Sequence, residues 1–146
     1  MIAHVSIPAR RPEATARVFA EIMDAVIMPF PPVPGGWMVI CKDGSGVGLE
    51  ILPETTAIIC GEEAGEASVF GYCSAPVRRD GAIHVALTSK LSVDEVISLG
   101  RAMDWRAVHC DRGAFDLVEL WVDNRLMIEV LAPEGTTRYL AAANAA

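Results

Sequence analysis

The stretch HVALTSKLSVDEVISLGRAMD, residues 84–104, repeats the pattern of HVSIPARRPEATARVFAEIMD, residues 4–24. The two stretches align without a gap at an offset of 80 residues. His4 then corresponds to His84, and each stretch closes on a Met-Asp pair. Self-similarity at a fixed spacing is typical of a duplicated structural unit. The sequence therefore predicts two copies of one module.

The end of each half is repeated as well. The segment VGLEILPE contains Glu50, and it resembles the segment LMIEVLAPE, which contains Glu129. Glu50 lies 46 residues after His4, and Glu129 lies 45 residues after His84. Because His, Met-Asp and Glu recur in the same order at nearly equal spacing, the set is a stronger signal than any single match.

Both halves show the same order of predicted elements. An alternating strand precedes a helical stretch, and further strands follow, separated by turn residues. In the first half these elements are strand 2–7, helix 12–24, a weak strand within 26–34, and strands 37–42 and 47–52. In the second half they are strand 83–88, helix 92–103, and strands 105–110, 115–123 and 126–131. Pro12 suits a first helical turn, Ser92 with Glu95 forms a capping-box pattern, and the prolines of 26–34 confine that segment to a sheet edge or break it.

These elements predict an α+β fold built from two βαβββ modules within one domain. The predicted divisions of the domain 1–146 are a first module at 1–53, a connecting segment at 54–82, a second module at 83–133 and a C-terminal tail at 134–146. Within the connecting segment, CGEEAGEAS (60–68) is expected to be a solvated loop. The end of the tail, YLAAANAA, is expected to be a short helix or a frayed segment.

Composition and charge exclude several classes of partner. The formal net charge is -7, whereas phosphate binding requires clustered Lys and Arg, so a nucleic acid is not expected. No apolar run approaches the roughly 18 residues of a membrane helix. The first residues do not show the pattern of a signal peptide, and the four cysteines form no CxxC pair. We therefore expect a cytoplasmic protein with reduced thiols.

Glu129 lies in an otherwise apolar strand, where an unpaired carboxylate would cost several kcal/mol. Side chains alternate across a strand, and in most of the repeated strands one face is apolar while the other is small or polar and carries His4, Glu50 or His84. Such faces are typical of a cavity lining. If the modules pack about a pseudo-twofold axis, two imidazoles and two carboxylates converge, which suits Zn, Ni, Co, Fe or Mn. The alternative is that each Glu pairs with an Arg or is protonated.

On these residues the chain resembles the vicinal oxygen chelate superfamily, which includes glyoxalase I, extradiol dioxygenases and bleomycin-resistance proteins. The resemblance implies that each module's mixed sheet curls into a half-barrel, and that the pair of half-barrels encloses the site. It also implies one divalent metal ion held by His4, Glu50, His84 and Glu129, which match the family's ligand positions on the first and last strands. This ligand set looks most like that of glyoxalase I, although no match to its glutathione-binding residues is found.

The resemblance further implies a metal-dependent lyase or isomerase that acts on a small molecule. Its expected chemistry is proton abstraction beside a metal-bound carbonyl of a 2-oxo aldehyde adduct or an acyl thioester. Glu129 is the first candidate for the catalytic base, and Glu50 is the symmetric alternative. The alternative functions are a metal-free drug-binding protein of bleomycin-resistance type and an extradiol dioxygenase. A homodimer is expected, with the site either within one chain or shared between two.

Five further residues have less specific signals. His109 is expected to be structural rather than a proton carrier that faces the substrate. Glu119 and Trp121 share a predicted strand face, which either lines the cavity or meets solvent. Asp24 and Asp104 lie at equivalent helix ends and are expected to be structural.

Overall fold

The computed structural model describes residues 3–59, 67–74 and 84–144, and in both modules it confirms the predicted βαβββ order. The first module contains β1 (His4–Ala9), α1 (Pro12–Met23), β2 (Ala25–Pro29), β3 (Trp37–Cys41) and β4 (Gly48–Pro53). A hairpin of β5 (Thr56–Ile59) and β6 (Val69–Tyr72) follows it. The second module contains β7 (Val85–Thr88), α2 (Val93–Ala102), β8 (Arg106–Asp111), β9 (Asp116–Val122) and β10 (Leu126–Leu131), and α3 (Pro133–Asn144) follows.

Each module folds into its own four-stranded mixed sheet. The strand orders are β1-β4-β3-β2 and β7-β10-β9-β8, so the two sheets have equivalent topology. In each sheet the first and last strands of the module are parallel neighbours, and the remaining pairs are antiparallel. Between the described strands no ladder joins the two sheets into a closed barrel. β2 is an edge strand that ends at Pro29, as its prolines predict.

The repeated sequence features at the helix ends have local structural causes. α1 starts at Pro12. The first N–H groups of a helix have no acceptor within the helix, so a proline at this position costs no hydrogen bond. The capping box of α2 is formed, because the Glu95 N–H donates to Ser92 Oγ at 3.3 Å and the Ser92 N–H donates to Glu95 Oε2 at 2.8 Å. Asp24 and Asp104 adopt left-handed backbone conformations, with φ of 50° and 59°. The repeated Met-Asp pair therefore marks the end of each helix.

The helices cover one face of each sheet. α1 packs on β2, β3 and β4, and α2 packs on β8 and β9. One continuous apolar cluster runs through both modules, and its largest fully buried side chains include Phe19, Ile22, Leu49, Ile51, Leu120 and Ile128. The sheet faces that point away from α1 and α2 are called the open faces below. No helix in the described ranges is long and apolar enough to cross a membrane.

Polar contacts also join the two modules. The buried hydroxyl of Ser89 donates to the Ile22 carbonyl at 2.6 Å, at the end of α1. Arg11 Nη2 donates to the Met103 carbonyl at 3.2 Å, and the Lys90 ammonium lies 2.7 Å from Asp24 Oδ2. Further bonds run from the Arg10 N–H to Asp123 and from Arg125 to Glu54, each at 2.7 Å. Together with the shared core, these contacts fix one module against the other.

Outside the modules the connecting segment differs from the sequence prediction, whereas the tail follows the short-helix alternative. The connecting segment contains the strands β5 and β6, which the sequence analysis did not predict. Most of the loop expected at 60–68 lies outside the described residues, as does 75–83. The tail forms the regular helix α3, which contacts β9 and β10. Gly135 permits this packing, because a Cβ at that position would clash with the Asp116 carbonyl oxygen.

Candidate metal centre

His4 and Glu50 form a pair on the open face of the first sheet. The parallel register of β1 and β4 sets Ser6 beside Glu50, and alternation puts His4 on the same face. His4 Nε2 lies 3.6 Å from Glu50 Oε1, while the Ser6 hydroxyl donates to Glu50 Oε2 at 2.5 Å. Glu50 is 8% exposed, whereas the His4 side chain is 54% exposed. We call His4, Ser6 and Glu50 the first half-site.

An equivalent pair lies on the open face of the second sheet. His84 immediately precedes β7, and β7 pairs in parallel with β10, which carries Glu129. His84 Nε2 lies 3.7 Å from Glu129 Oε2. The other carboxylate oxygen, Oε1, lies 3.5 Å from Arg112 Nη2. We call His84, Glu129 and Arg112 the second half-site.

The donor to the carboxylate differs between the two half-sites. Ala86 is the register neighbour of Glu129 and corresponds to Ser6, but it has no hydroxyl to donate. Arg112, from the turn between β8 and β9, forms an ion pair with Glu129 instead, at 3.5 Å. One carboxylate oxygen thus has a polar partner in each half-site, a hydroxyl at Glu50 and a guanidinium at Glu129, and the other oxygen faces the imidazole. Outer partners of this kind orient metal ligands in known metal sites.

The spacing within each pair fits two ligands of one ion better than a hydrogen bond. The N···O distances of 3.6 and 3.7 Å exceed the range of a hydrogen bond. Two ligands that each lie about 2.1 Å from a metal ion are roughly 3.0–3.4 Å apart in octahedral or tetrahedral geometry. A slight inward shift of either side chain would therefore let each pair bind an ion.

The four predicted ligands form two pairs and not one cluster. Within the described parts of the chain, no three His, Cys, Asp or Glu side chains lie close enough to share an ion. A single chain thus brings His4 to Glu50 and His84 to Glu129, but it does not bring the two pairs together. The described residues of one chain therefore do not show the convergence that was expected if the modules pack about a pseudo-twofold axis.

Arg112 is a site residue that the sequence analysis did not single out. Its Nη2 atom lies 2.7 Å from Glu119 Oε1, so Glu119 is its nearer partner and Glu129 its second. Burial acts to raise the pKa of Glu119, but hydrogen bonds from Trp121 and Arg112 outweigh it and leave that pKa below its ordinary value. Glu119 is therefore a charged anchor for Arg112. The alternative that each glutamate of the predicted ligand set pairs with an Arg is met at Glu129, whereas the described partners of Glu50 are Ser6 and His4.

The other predicted residues fall on opposite faces of the second sheet. Glu119 is directly opposite Glu129 in the antiparallel register, and Trp121 shares that open face. His109 is paired with Val118, which faces the core side, so it lies on the face opposite the second half-site. Its Nε2 atom is 2.7 Å from Asp116 Oδ2. This pairing gives His109 a structural partner.

Several of the remaining side chains on the open faces are apolar. On the first sheet Met38 and Ile40 lie beside the first half-site, and Val26 and Met28 continue the surface onto the edge strand. On the second sheet Met127 is the apolar neighbour of Trp121. Apolar walls around a few convergent polar groups are typical of small-molecule sites.

A separate cleft of about 810 Å³ lies where the modules meet. It is lined by side chains that include Asp24, Lys42 and Lys90, and none of the four predicted ligands contributes to it. Lys42 and Lys90 both contact Asp24, at 3.1 and 2.7 Å. These lysines lower the pKa of Asp24, so the cleft contains an ion-pair cluster that helps to join the modules.

Solved structures resemble this chain over nearly its whole length. The fosfomycin resistance protein FosX from Mesorhizobium loti has 14% identity and a TM-score of 0.56, with 95% of this chain and 97% of that chain covered. A FosX from Listeria monocytogenes has 12% identity and a TM-score of 0.58, with 97% of each chain covered. A glyoxylase/bleomycin resistance protein/dioxygenase domain from Frankia sp. EAN1pec has 10% identity and a TM-score of 0.56, with 90% and 96% covered.

Neither a protein-family model nor a curated protein matches the sequence. The likeness is therefore one of architecture, carried by the paired modules and their equivalent sheets. The fold expected from the repeated sequence is confirmed: this chain has the paired βαβββ architecture and resembles the FosX and glyoxylase/bleomycin resistance protein/dioxygenase structures in fold.

Proposed function

We propose that this protein is a divalent-metal-dependent enzyme of glyoxalase type, whose site forms between two copies of the chain. The observation that carries the proposal is the repeated His–carboxylate pair, in which one carboxylate oxygen has a hydroxyl or guanidinium partner and the other is directed at the imidazole. A purely structural duplication has no reason to keep this arrangement on both open faces. Two such pairs, one from each of two chains, would also form the cluster of four ligands that is absent among the described residues of a single chain.

A second copy is the simplest way to join the half-sites. The modules of one chain are fixed against each other by a continuous core and by buried contacts such as Ser89 to Ile22. A twofold axis would set the first half-site of one copy against the second half-site of the other, and the same operation would create a second equivalent site. We therefore infer a homodimer with two sites, each with two imidazoles and two carboxylates.

The ligand set suits a borderline divalent ion. Two imidazole nitrogens and two carboxylate oxygens are common ligands of Zn, Ni, Co, Fe and Mn, and the set does not single out one of them. A structural neighbour, the Listeria monocytogenes FosX, was solved with Mn(II) and sulfate, at 14% identity to this chain and a TM-score of 0.53. That neighbour supports a metal in this fold.

When bound, a divalent ion would polarise a substrate carbonyl and stabilise the negative charge that develops on its oxygen. The chain's own residues would then supply orientation and proton transfer. Glu129 is our first candidate for the base that takes a proton from the carbon beside that carbonyl, and Glu50 is the alternative. Glu129 also lies beside the guanidinium of Arg112, which would hold the carboxylate in place as it changes from metal ligand to base. Glu50 has only the neutral hydroxyl of Ser6 in that position.

The expected substrates are small molecules with two oxygens near an acidic C–H bond, such as a 2-oxo aldehyde adduct or an acyl thioester. Methylglyoxal with thiols, methylmalonyl-CoA and catechols form a suitable assay panel. For the active substrate, Glu129→Gln should lower turnover far more than substrate binding. Unchanged turnover would remove Glu129 as the base, and turnover of catechols alone would favour the dioxygenase alternative.

The second candidate function is a metal-free binder of a drug or metabolite. The apolar open faces favour it, and so does the contact of Arg112 with Glu129, which partly neutralises that carboxylate without an ion. Elemental analysis of protein purified without a His tag separates the two candidates. The enzyme proposal expects about one ion per chain. Less than a tenth of that, with no change in melting temperature on adding a chelator, would favour the binder.

A complementation experiment tests whether the site is shared. His4→Ala and His84→Ala should each reduce metal content strongly when purified alone. If the two variants are co-expressed in equal amounts, only mixed dimers contain one intact site, so about a quarter of all sites should recover. Recovery would support a site between copies. If the single variants lose metal and the mixture recovers none, both half-sites belong to one chain and the shared-site proposal is wrong.

A further inference from the structure

Exposed apolar side chains are concentrated in one part of the molecule. Of the nine large apolar side chains that are exposed in the described ranges, five belong to the hairpin of β5 and β6. They are Ile58, Ile59, Val69, Phe70 and Tyr72. Because Ile58 pairs with Phe70 and Thr56 pairs with Tyr72, Ile58, Phe70 and Tyr72 share one face of the hairpin, which we call the hairpin surface. Ile59 and Val69 pair on the opposite face. Ile58 is 62% exposed and Tyr72 is 74% exposed, and exposed apolar patches commonly mark an interaction site.

The hairpin surface continues the open face of the first sheet. The rings of Phe30 and Phe70 meet edge to face with centroids 5.8 Å apart, which joins the hairpin to the residue that follows β2. Two more of the exposed apolar side chains, Val26 and Met28, lie on β2. The sheet register connects them through β3 to Glu50 of the first half-site.

The hairpin is part of neither four-stranded sheet. β5 and β6 pair with each other and with no other described strand. An isolated two-stranded hairpin is only marginally stable in water, so its apolar faces need a cover. The described residues 55–59 and 67–74 contain no charged side chain, and the glutamates of this segment, Glu62, Glu63 and Glu66, lie in the sequence between the two strands. The described strands therefore lack the charged side chains that normally protect exposed strand edges against association.

We propose that the hairpin surface is a dimerisation arm that packs on a second copy of this chain. A second copy is the occupant because the hairpin surface is continuous with the open face on which, by the proposed function, that copy must sit. An uncharged apolar surface also fits another apolar surface and not a charged partner. By holding the two copies together, the arm determines whether the half-sites meet.

The test compares the hairpin double variant Ile58→Asp/Tyr72→Asp with Leu140→Asp. Leu140 is 52% exposed on α3, away from the hairpin, so it controls for a new charge at an exposed apolar position. Sedimentation velocity over a range of concentrations gives the dimer dissociation constant, and circular dichroism checks that each variant is folded. We expect the double variant to weaken dimerisation by about tenfold or more. The control should dimerise like the wild type.

The outcomes separate this inference from the proposed function. A folded double variant that dimerises like the wild type overturns the dimerisation arm, even if the protein binds metal. A wild-type protein that is monomeric at all concentrations also overturns it. Dissociation of the double variant, with a wild-type dimer that binds no metal, supports the arm and contradicts the metal proposal. Dissociation with a parallel loss of metal supports both.

Discussion

The substitution Glu50→Gln should have little effect on stability without metal and should remove most of the stabilisation by metal. Glu50 is 8% exposed and accepts a hydrogen bond of 2.5 Å from Ser6. The Gln side chain has nearly the same shape, and its carbonyl oxygen can accept the same bond. A hydrogen bond to a charged group contributes about 1.5–3 kcal/mol, and the amide removes a desolvation cost of similar size. In chelator we therefore expect the free energy of unfolding to remain within about 1 kcal/mol of wild type.

With metal the wild type should gain stability that the variant lacks. A ligand at a free concentration of about 100 times its dissociation constant stabilises the folded state by about 2.7 kcal/mol. For a chain of this length each kcal/mol raises the melting temperature by about 2–4 °C, so the expected rise is roughly 5–11 °C. Glu50→Gln replaces a charged ligand by a neutral one and should lose most of this rise.

Differential scanning calorimetry in chelator and in each candidate metal measures both effects. The matched control is Glu54→Gln, four residues further along, where the carboxylate lies 2.7 Å from Arg125 and outside both half-sites. Its melting temperature should shift equally in chelator and in metal. The reasoning fails if Glu50→Gln keeps the full metal-dependent rise, or if it loses several kcal/mol in chelator alone.

Three further predictions concern stability, pH and metal affinity. Gly48→Ala should lower the free energy of unfolding by about 2–4 kcal/mol in urea titrations, because the new Cβ would clash with the Val39 carbonyl oxygen in the next strand. The hydrogen bond from His109 lowers the pKa of Asp116 below 3.8. The ionised carboxylate therefore stabilises the folded state fully above that pH, and this contribution is lost as the pH falls below it. The free energy of unfolding of Asp116→Asn should differ less between about pH 7 and about pH 3 than that of the wild type. Ser6→Ala should weaken metal binding by about 10–100-fold in competition titrations, because it removes the donor that orients a ligand.

Each of these predictions has a control or a contrary result. Gly44 has a positive φ and open space around it, so Gly44→Asn should be nearly neutral in urea. An unchanged pH difference in Asp116→Asn would show that other groups dominate acid unfolding. Unchanged metal affinity in Ser6→Ala would show that Glu50 is oriented without the hydroxyl. Ser98, whose hydroxyl bonds to the Asp94 carbonyl on α2, provides a matched Ser→Ala control.

The repeat made the modules and their order predictable from sequence. Equivalent residues in equivalent modules have the same local environment, so His4 and His84 fall on corresponding faces beside Glu50 and Glu129. Helix ends were also predictable, since a capping box acts over only a few residues.

Other features depend on contacts that leave no periodic pattern. The way in which one module packs on the other depends on individual contacts between them, such as the bond from Ser89 to Ile22. Arg112 reaches Glu129 from a turn on another hairpin, 17 residues earlier in the chain. The strands β5 and β6 are short and lie in a segment with few sequence signals. They are recognised only in the structure, where they pair with each other.

The difference between Ser6 and Ala86 limits how the two modules could be exchanged. In the first module the carboxylate is hydrogen-bonded by a hydroxyl of the adjoining strand, whereas in the second it lies beside a guanidinium from a turn. The halves are therefore not interchangeable. A chain with two first modules would have no arginine at this position, and a chain with two second modules would have no serine. Either hybrid chain would change the charge beside one of the two carboxylates.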